Sequence, residues 1–231
     1  MLNWLKPDAL AEAYRDPVSW AILAVDLFPL YAILQFGWDA TSLVFLYWLE
    51  NLVIGAVTLL RMAAASIKNG LAGGVAMLFS GPFFTFHYGM FCFVHGVFLM
   101  VFAEISRGRE PPFPTPVGLV EFALGSGAHM MVFVGAIFAL QLFLFFRDFI
   151  GRGQWRETEM AAEMMKPYGR IILLHVGIFV GFGLMMALNA PMLGILALIL
   201  MRTLWGIYQT VRRRLNLDET TAIKVDEPSR I

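Results

Sequence analysis

The chain has 231 residues, of which 59% are apolar and 15% are charged, and its mean hydropathy is +0.70. Ordinary soluble domains are about 45–50% apolar and about 25% charged, so this composition excludes a water-soluble enzyme. Basic and acidic residues number 17 each, which gives no indication of a nucleic-acid partner; membrane lipids are the expected partners, and protein partners stay unknown. The single cysteine, Cys92, excludes a disulfide framework and any multi-cysteine metal site.

Long apolar runs predict an all-α membrane protein. A bilayer core of about 30 Å requires about 20 apolar residues in a helix. We predict one six-helix membrane domain over 18–212, with spans near 18–36, 42–65, 75–103, 119–147, 171–190 and 192–211. Residues 1–17 are expected to lie on the cytoplasmic membrane surface, and 156–166 to form an amphipathic interfacial helix. Residues 213–231 are expected to be a disordered cytoplasmic tail.

Two of these spans have an ambiguous start. Gly81-Pro82 interrupts the third, so that helix either kinks there or begins there, with 71–80 near the interface. The fourth begins either near Leu119 or after Gly125-Ser126-Gly127. In the second case 119–124 forms a separate piece.

The distribution of basic residues predicts the orientation. With six spans, one side of the membrane holds fourteen of them, namely Lys6, Arg15, Arg61, Lys68, Arg147, Arg152, Arg156, Lys166, Arg170, Arg212, Arg213, Arg214, Lys224 and Arg230. The other side holds Arg107 and Arg109 only. Because basic residues concentrate in cytoplasmic loops, we expect a multi-pass inner-membrane protein with both termini in the cytoplasm. The first seventeen residues have no apolar core, so no cleavable signal peptide is expected.

Ionisable side chains inside the predicted spans are the most informative feature. They are His87, His95, His129, His175, Asp26, Glu50 and Arg202. A charge at the centre of a membrane helix costs about 2.5–3.5 kcal/mol on insertion scales, so such residues face protein or water and are commonly functional.

Counting the rise per residue predicts two clusters at different depths. Glu50 and His95 form an outer cluster, which His129 joins if its helix begins near Leu119. His87 and His175 form an inner cluster. Four further residues have supporting roles: Tyr47 and Asn51 would orient ligands, and Arg202 would neutralise Asp26 or a bound anion.

Three functional interpretations follow. In the first, His87, His95, His129, His175 and Glu50 bind a transition metal ion or haem for redox or metal-assisted chemistry. In the second, the same groups form the pathway of a small proton- or ion-coupled transporter. In the third, the buried polar residues only hold the helices together. The first is our working hypothesis, and whether the protein is an enzyme stays open.

Three motifs give the chain a family resemblance. They are Tyr47-Trp48-Leu49-Glu50-Asn51, the stretch from Phe84 to Gly96 containing His87-Tyr88-Gly89 and His95-Gly96, and Pro167-Tyr168-Gly169-Arg170-Ile171 leading to His175. In these motifs the chain resembles an uncharacterised family of bacterial integral membrane proteins, a domain of unknown function. The resemblance covers roughly 18–212 and implies a bacterial inner-membrane protein, but it implies no activity.

Overall fold

The computed structural model describes residues 7–169, 171–172, 176, 200–201 and 203–213. Within these ranges the chain forms helices, turns and loops, and no strand. It divides into two compact units, Met1–Tyr31 with Gly177–Ile231, and Ala32–Val176. Each unit is described by itself below.

The first unit joins the start of the chain to its C-terminal helical segment. It contains α1 (Pro7–Ala13), the first part of α2 (Pro17–Phe36) and the helical residues 203–213. Asp16 caps α2 by accepting a hydrogen bond from the backbone N–H of Val18 at 3.1 Å. The guanidinium of Arg213 lies 3.4 Å from the Asp16 carboxylate and donates to the Ser19 hydroxyl at 3.0 Å. The cap therefore also anchors the C-terminal segment.

The second unit is built around α3. Its elements are α3 (Ala40–Ile67), α4 (Gly70–Ser106), α5 (Pro116–Gly125), α6 (Met130–Leu144), a π-helix (Phe145–Ile150) that continues α6, α7 (Gln154–Glu157) and α8 (Met160–Met165). Helix α3 packs against α4, α5, α6 and α8. Asp39 caps α3 by accepting a bond from the N–H of Ser42 at 2.8 Å.

Four helices in the described part of the chain are long and apolar enough to cross a membrane. They cover Pro17–Phe36, Thr41–Ile67, Gly70–Ile105 and Met130–Ile150. Length and composition therefore indicate a membrane protein. The predicted span 171–190 lies mostly outside the described residues, and 200–201 and 203–211 are described within the predicted span 192–211. The residues described within both spans are helical.

Helix α4 is longer than its predicted span and is continuous through Pro82. It contains 37 residues and is about 55 Å long at the rise of an α-helix. Thr85 donates its hydroxyl to the carbonyl oxygen of Gly81 at 2.9 Å, an additional bond beside the proline. Hydroxyl side chains of this kind help membrane helices to tolerate proline.

The predicted fourth span is two helices. Helix α5 ends at Gly125, residues 126–129 form a bend, and α6 begins at Met130. The bend packs against the start of α3, where the Ser42 hydroxyl donates to the carbonyl oxygen of Ser126 at 2.6 Å. The stretch 119–124 is therefore a separate piece, which was the second of the two alternatives.

Glycines allow α3 and α4 to approach closely. A Cβ atom on Gly96 would lie 2.7 Å from the Trp48 ring, and one on Gly55 would lie 2.7 Å from the Tyr88 ring. Trp48 also donates its indole N–H to the carbonyl oxygen of Cys92 at 2.7 Å. At one end of the pair, Arg107 lies 3.8 Å from Asp39. We call this the Asp39 end and the opposite end, near Arg61, the Arg61 end.

Candidate functional site

Two of the three sequence motifs contact each other directly. Tyr88, on α4, donates its hydroxyl to the carbonyl oxygen of Asn51, on α3, at 3.0 Å. The bond uses the main chain of Asn51, while its side chain is buried. Tyr88 is 4% exposed and packs in an apolar cluster with Phe84 and Cys92. The two motifs therefore form one face of the α3–α4 interface.

The third motif reaches the same place from 81 residues further along the chain. The Tyr168 hydroxyl oxygen lies 2.8 Å from Nδ1 of His87. The Tyr168 ring also meets the Tyr88 ring edge-on, with 5.8 Å between the centroids. We call His87, Tyr88, Tyr168 and Asn51 the motif junction. All three motifs thus meet in space, which their spacing along the chain does not show.

His87 is the exposed member of the motif junction. Its ring stacks on Phe83 at 5.4 Å with 11° between the planes, and Phe91 meets it edge-on at 5.2 Å. His87 lies about 26 Å along α4 from Glu104, so in a bilayer core of about 30 Å it sits near the Arg61 end. Nδ1 faces Tyr168, and Nε2 makes no hydrogen bond to any residue that the structure describes. The imidazole therefore has one fixed nitrogen and one open nitrogen.

Burial keeps the Tyr168 phenol protonated. It raises the pKa of Tyr168, and the nearby Cys92 sulfur acts in the same direction. At neutral pH the group is therefore a phenol with a proton to donate. In the described part of the chain its only hydrogen-bond partner is His87 Nδ1. Donation of this proton to Nδ1 would leave the imidazole proton on Nε2.

A short anchored segment brings Tyr168 to His87. Lys68, at the end of α3, donates to the Thr158 carbonyl oxygen at 2.8 Å and to the Glu159 carboxylate at 2.7 Å. These bonds fix the start of α8 against α3. Met160 and Met164 then pack into the cluster that contains Tyr88. The chain from Thr158 to Tyr168 is therefore held at both of its ends.

A buried charged pair fixes the middle of that segment. Glu163 is 1% exposed and accepts hydrogen bonds from Lys166 and from the Thr158 hydroxyl, the latter at 2.8 Å. Its second oxygen lies 3.8 Å from Arg61 of α3. The Arg61 guanidinium also lies over the Phe149 ring at 4.9 Å. Because the Glu163 carboxylate is buried, loss of Arg61 or Lys166 would remove part of the charge that compensates it.

These charges are functional candidates that the sequence analysis missed. In the sequence, Arg61 is recognisable only as a basic residue at a span end, and Glu163 only as part of an amphipathic helix. The available signal was spacing: Met160, Glu163 and Met164 share one helical face at i, i+3 and i+4. An acidic residue on the apolar face of an interfacial helix predicts a buried partner.

The predicted outer cluster is only partly assembled. Glu50 is 3% exposed and lies about 16 Å along α3 from Asp39. His95 is half-buried and lies about 14 Å along α4 from Glu104, so the two are at a similar depth on neighbouring helices. Nδ1 of His95 lies 2.7 Å from the carbonyl oxygen of Phe91 on its own helix. Tyr47, predicted to orient ligands, is buried on α3 three residues before Glu50.

His129 lies apart from Glu50 and His95. It precedes α6 at the bend next to Asp39, with a left-handed backbone at φ 60°, and its exposed ring lies 4.9 Å from that of Phe36. It therefore occupies the end of a helix rather than the membrane interior.

The remaining predicted site residues belong to the other unit or are not described. Asp26 is buried in the first unit. The pKa of Tyr14 is raised there, mainly by the burial of Tyr14 and secondly by the charge of Asp26. His175 and Arg202 lie outside the described residues.

No three metal-ligating side chains gather within the described ranges. Histidine, cysteine, aspartate and glutamate form no group of three there that could hold one ion. His87, His95 and His129 each have separate surroundings. The structure therefore brings His87 together with Tyr168, and no three described members of the predicted ligand set gather at one point.

Comparison with known proteins gives a family but no activity. No curated protein and no solved structure is significantly similar to the chain. A model described as a family of unknown function, DUF6498, matches residues 8–222. The chain belongs to this family of unknown function, which confirms the expected membership of an uncharacterised family.

Proposed function

We propose that the chain is a six-span protein of a bacterial inner membrane with both termini in the cytoplasm. Four described helices of sufficient length and the bias of fourteen basic residues against two support this topology. The Arg61 end then faces the cytoplasm, and the segment carrying α7 and α8 lies on the cytoplasmic membrane surface. The Asp39 end faces the opposite side.

Labelling of single cysteines tests this topology. Cys92→Ser supplies a cysteine-free background. In it, Glu110→Cys and Glu157→Cys place one exposed thiol in each of two loops. A membrane-impermeant maleimide added to intact spheroplasts is expected to label Glu110→Cys and to label Glu157→Cys only after permeabilisation. Labelling of both in intact spheroplasts would contradict the topology.

We further propose that the protein binds a ligand from the bilayer through the imidazole of His87. The observation that carries this is the Tyr168–His87 hydrogen bond, which fixes one ring nitrogen of an exposed imidazole at membrane depth and leaves the other open. A polar side chain that faces lipid is energetically costly, and ionisable residues in such positions are commonly functional. Phe83 and Phe91 supply flat apolar walls beside it.

One candidate for the molecule bound at His87 is a transition metal ion or haem, which would supply redox chemistry. When Nδ1 carries the imidazole proton, it donates to the phenol oxygen of Tyr168. Nε2 then has no proton, and its lone pair faces outward. Metal-ligating histidines usually have their second nitrogen fixed by such a hydrogen bond. In this arrangement His87 would hold the metal ion or haem iron through Nε2. The other predicted metal ligands are retained as candidates for a metal site that does not involve the Tyr168 bond; they are Glu50, His95, His129 and His175. The residues with proposed supporting roles are Tyr47, Asn51, Asp26 and Arg202.

Purification with the bound ligand tests both forms of this proposal. Wild type, His87→Ala and His129→Ala would be purified in mild detergent and compared by absorbance spectrum, elemental analysis and mass spectrometry of an organic extract. His129 is the matched control because it is also exposed but lies at the opposite end. The proposal predicts a near-stoichiometric ligand in wild type and His129→Ala that is lost in His87→Ala. An equal complement in all three would refute it.

A further inference from the structure

The open nitrogen of His87 has a defined hydrogen-bonding character. When the Tyr168 phenol donates to Nδ1, which lies 2.8 Å from its oxygen, the imidazole proton is on Nε2. Within the described chain no acceptor lies near that N–H, so its partner has to come from outside those residues. A hydrogen bond made in a low-dielectric environment is stronger than the same bond in water. The site therefore favours a ligand that offers an acceptor atom.

The surroundings of His87 define the shape and charge of that ligand. Phe83 lies nearly parallel to the imidazole, and Phe91 presents an edge to it. Aromatic rings pack well against another flat ring in stacked or edge-on arrangements. On α4 no charged residue occurs between its start at Gly70 and Glu104, so a charged ligand would find no counter-ion on this helix. A neutral, flat and apolar molecule fits best.

We infer that His87 donates a hydrogen bond from Nε2 to the carbonyl oxygen of a flat, lipid-soluble ring compound of the quinone class. This inference rests on the proposed ligand site at His87 and names its ligand chemistry. Phe83 and Phe91 flank the ring, Tyr168 fixes the tautomer that donates, and the depth of about 26 Å along α4 from Glu104 places the carbonyl at one margin of the bilayer core. The ester carbonyl of a phospholipid offers the same acceptor without the ring.

Nitrogen NMR of histidine in lipid nanodiscs tests the inference. The probes are menadione, a naphthoquinone, and 2-methylnaphthalene, which has the same ring but no carbonyl. Ether-linked phospholipid removes every ester carbonyl from the background, and ester-linked phospholipid is the comparison. We expect neutral His87 to carry its proton on Nε2 and menadione to bind saturably in ether lipid, with a shift of the Nε2 signal. 2-Methylnaphthalene should leave that signal unchanged.

Variants of the donor provide the affinity test. His87→Leu removes the N–H and is expected to weaken menadione binding by about tenfold, which corresponds to 1.4 kcal/mol. His87→Gln keeps an N–H donor and should retain most of the affinity. Tyr168→Phe removes the hydroxyl that fixes the His87 tautomer. The menadione affinity of this variant should lie between those of His87→Leu and His87→Gln. Because the His87 side chain is exposed, these substitutions are expected to leave the fold intact.

Several outcomes would overturn the inference. One is a neutral His87 with its proton on Nδ1, and another is equal menadione affinity in wild type and His87→Leu. A shift caused by ester lipid that blocks menadione would identify the phospholipid carbonyl as the acceptor and refute the ring ligand. A Soret band or metal that is lost in His87→Ala, together with no menadione binding, would leave the proposed site standing and refute only the carbonyl ligand. No ligand of either kind would refute both.

Discussion

The contact between Gly96 and Trp48 makes a quantitative prediction about the α3–α4 interface. A Cβ atom on residue 96 would lie 2.7 Å from Cζ2 and 2.8 Å from Cε2 of the indole. Real Cβ contacts are longer, so either the ring or the helix has to move. The ring is 3% exposed and is fixed by its bond to the Cys92 carbonyl oxygen at 2.7 Å. We therefore expect Gly96→Ala to strain the interface.

The size of the effect follows from two opposing terms. Overpacking a well-packed core costs about 1–3 kcal/mol. Replacing glycine by alanine inside a helix returns about 0.5–1 kcal/mol through helix propensity. Gly89→Ala, on the same helix, is the matched control because a Cβ there meets nothing within 4 Å. It receives the propensity gain alone. Gly96→Ala should therefore be less stable than Gly89→Ala by about 1–3 kcal/mol.

The assay is unfolding of the purified protein in mixed micelles with increasing sodium dodecyl sulfate, followed by circular dichroism. The free energies of unfolding of both variants are compared at one detergent fraction. Trp48→Leu provides a second test, because in that background the cost of Gly96→Ala should largely disappear. Equal stability of Gly96→Ala and Gly89→Ala, or an unchanged cost without the indole, would refute the proposed contact.

Three further predictions concern the thiol, the buried charges and the motif junction. Cys92 is 3% exposed, so N-ethylmaleimide should add no mass to the folded protein and one adduct after denaturation; rapid labelling of the folded protein would contradict its burial. Glu163→Gln should lower the free energy of unfolding by about 1–3 kcal/mol because it leaves the Arg61 charge without its partner, whereas Glu159→Gln, on a carboxylate 70% exposed, should cost less than about 1 kcal/mol. Because the pKa of Tyr168 is higher in the folded state than in the unfolded state, its contribution to stability is complete below about pH 10 and is lost as the pH rises through the folded pKa. Tyr168→Phe should therefore show a shallower loss of stability above pH 10, and an identical alkaline slope in both proteins would exclude this linkage.

The helices could be predicted from the sequence because their signals are local. Asp16-Pro17 and Asp39 begin α2 and α3 where acidic caps are expected. Helix α4 begins at Gly70, five residues before the predicted span 75–103, because the glycines in between do not end a helix. At Gly73 a Cβ would lie 1.9 Å from the carbonyl oxygen of Ser66, so this glycine allows the close approach of two helix ends and does not end a helix.

The motif junction could be predicted only in part. Depth along each helix follows from the sequence, and Glu50 and His95 do lie at a similar depth. Which faces meet depends on helix order and rotation, which a single sequence does not contain. The bond from His87 to Tyr168 joins residues 81 positions apart, and Tyr168 lies on a segment whose docking depends on Glu163. The sequence therefore identified the motifs but not the pair that they form.

The length of α4 has a consequence for how the protein stands in a bilayer. At about 55 Å it exceeds a 30 Å hydrocarbon layer, and a tilt of 40° would reduce its projected height only to about 42 Å. In the proposed topology, part of the helix therefore projects beyond the hydrocarbon layer, and α3, at about 42 Å, accompanies it. Lys68, at the tip of this projection, holds the segment that ends at Tyr168. A thicker or thinner membrane would thus change how much of the projecting ends of α3 and α4 is in contact with water.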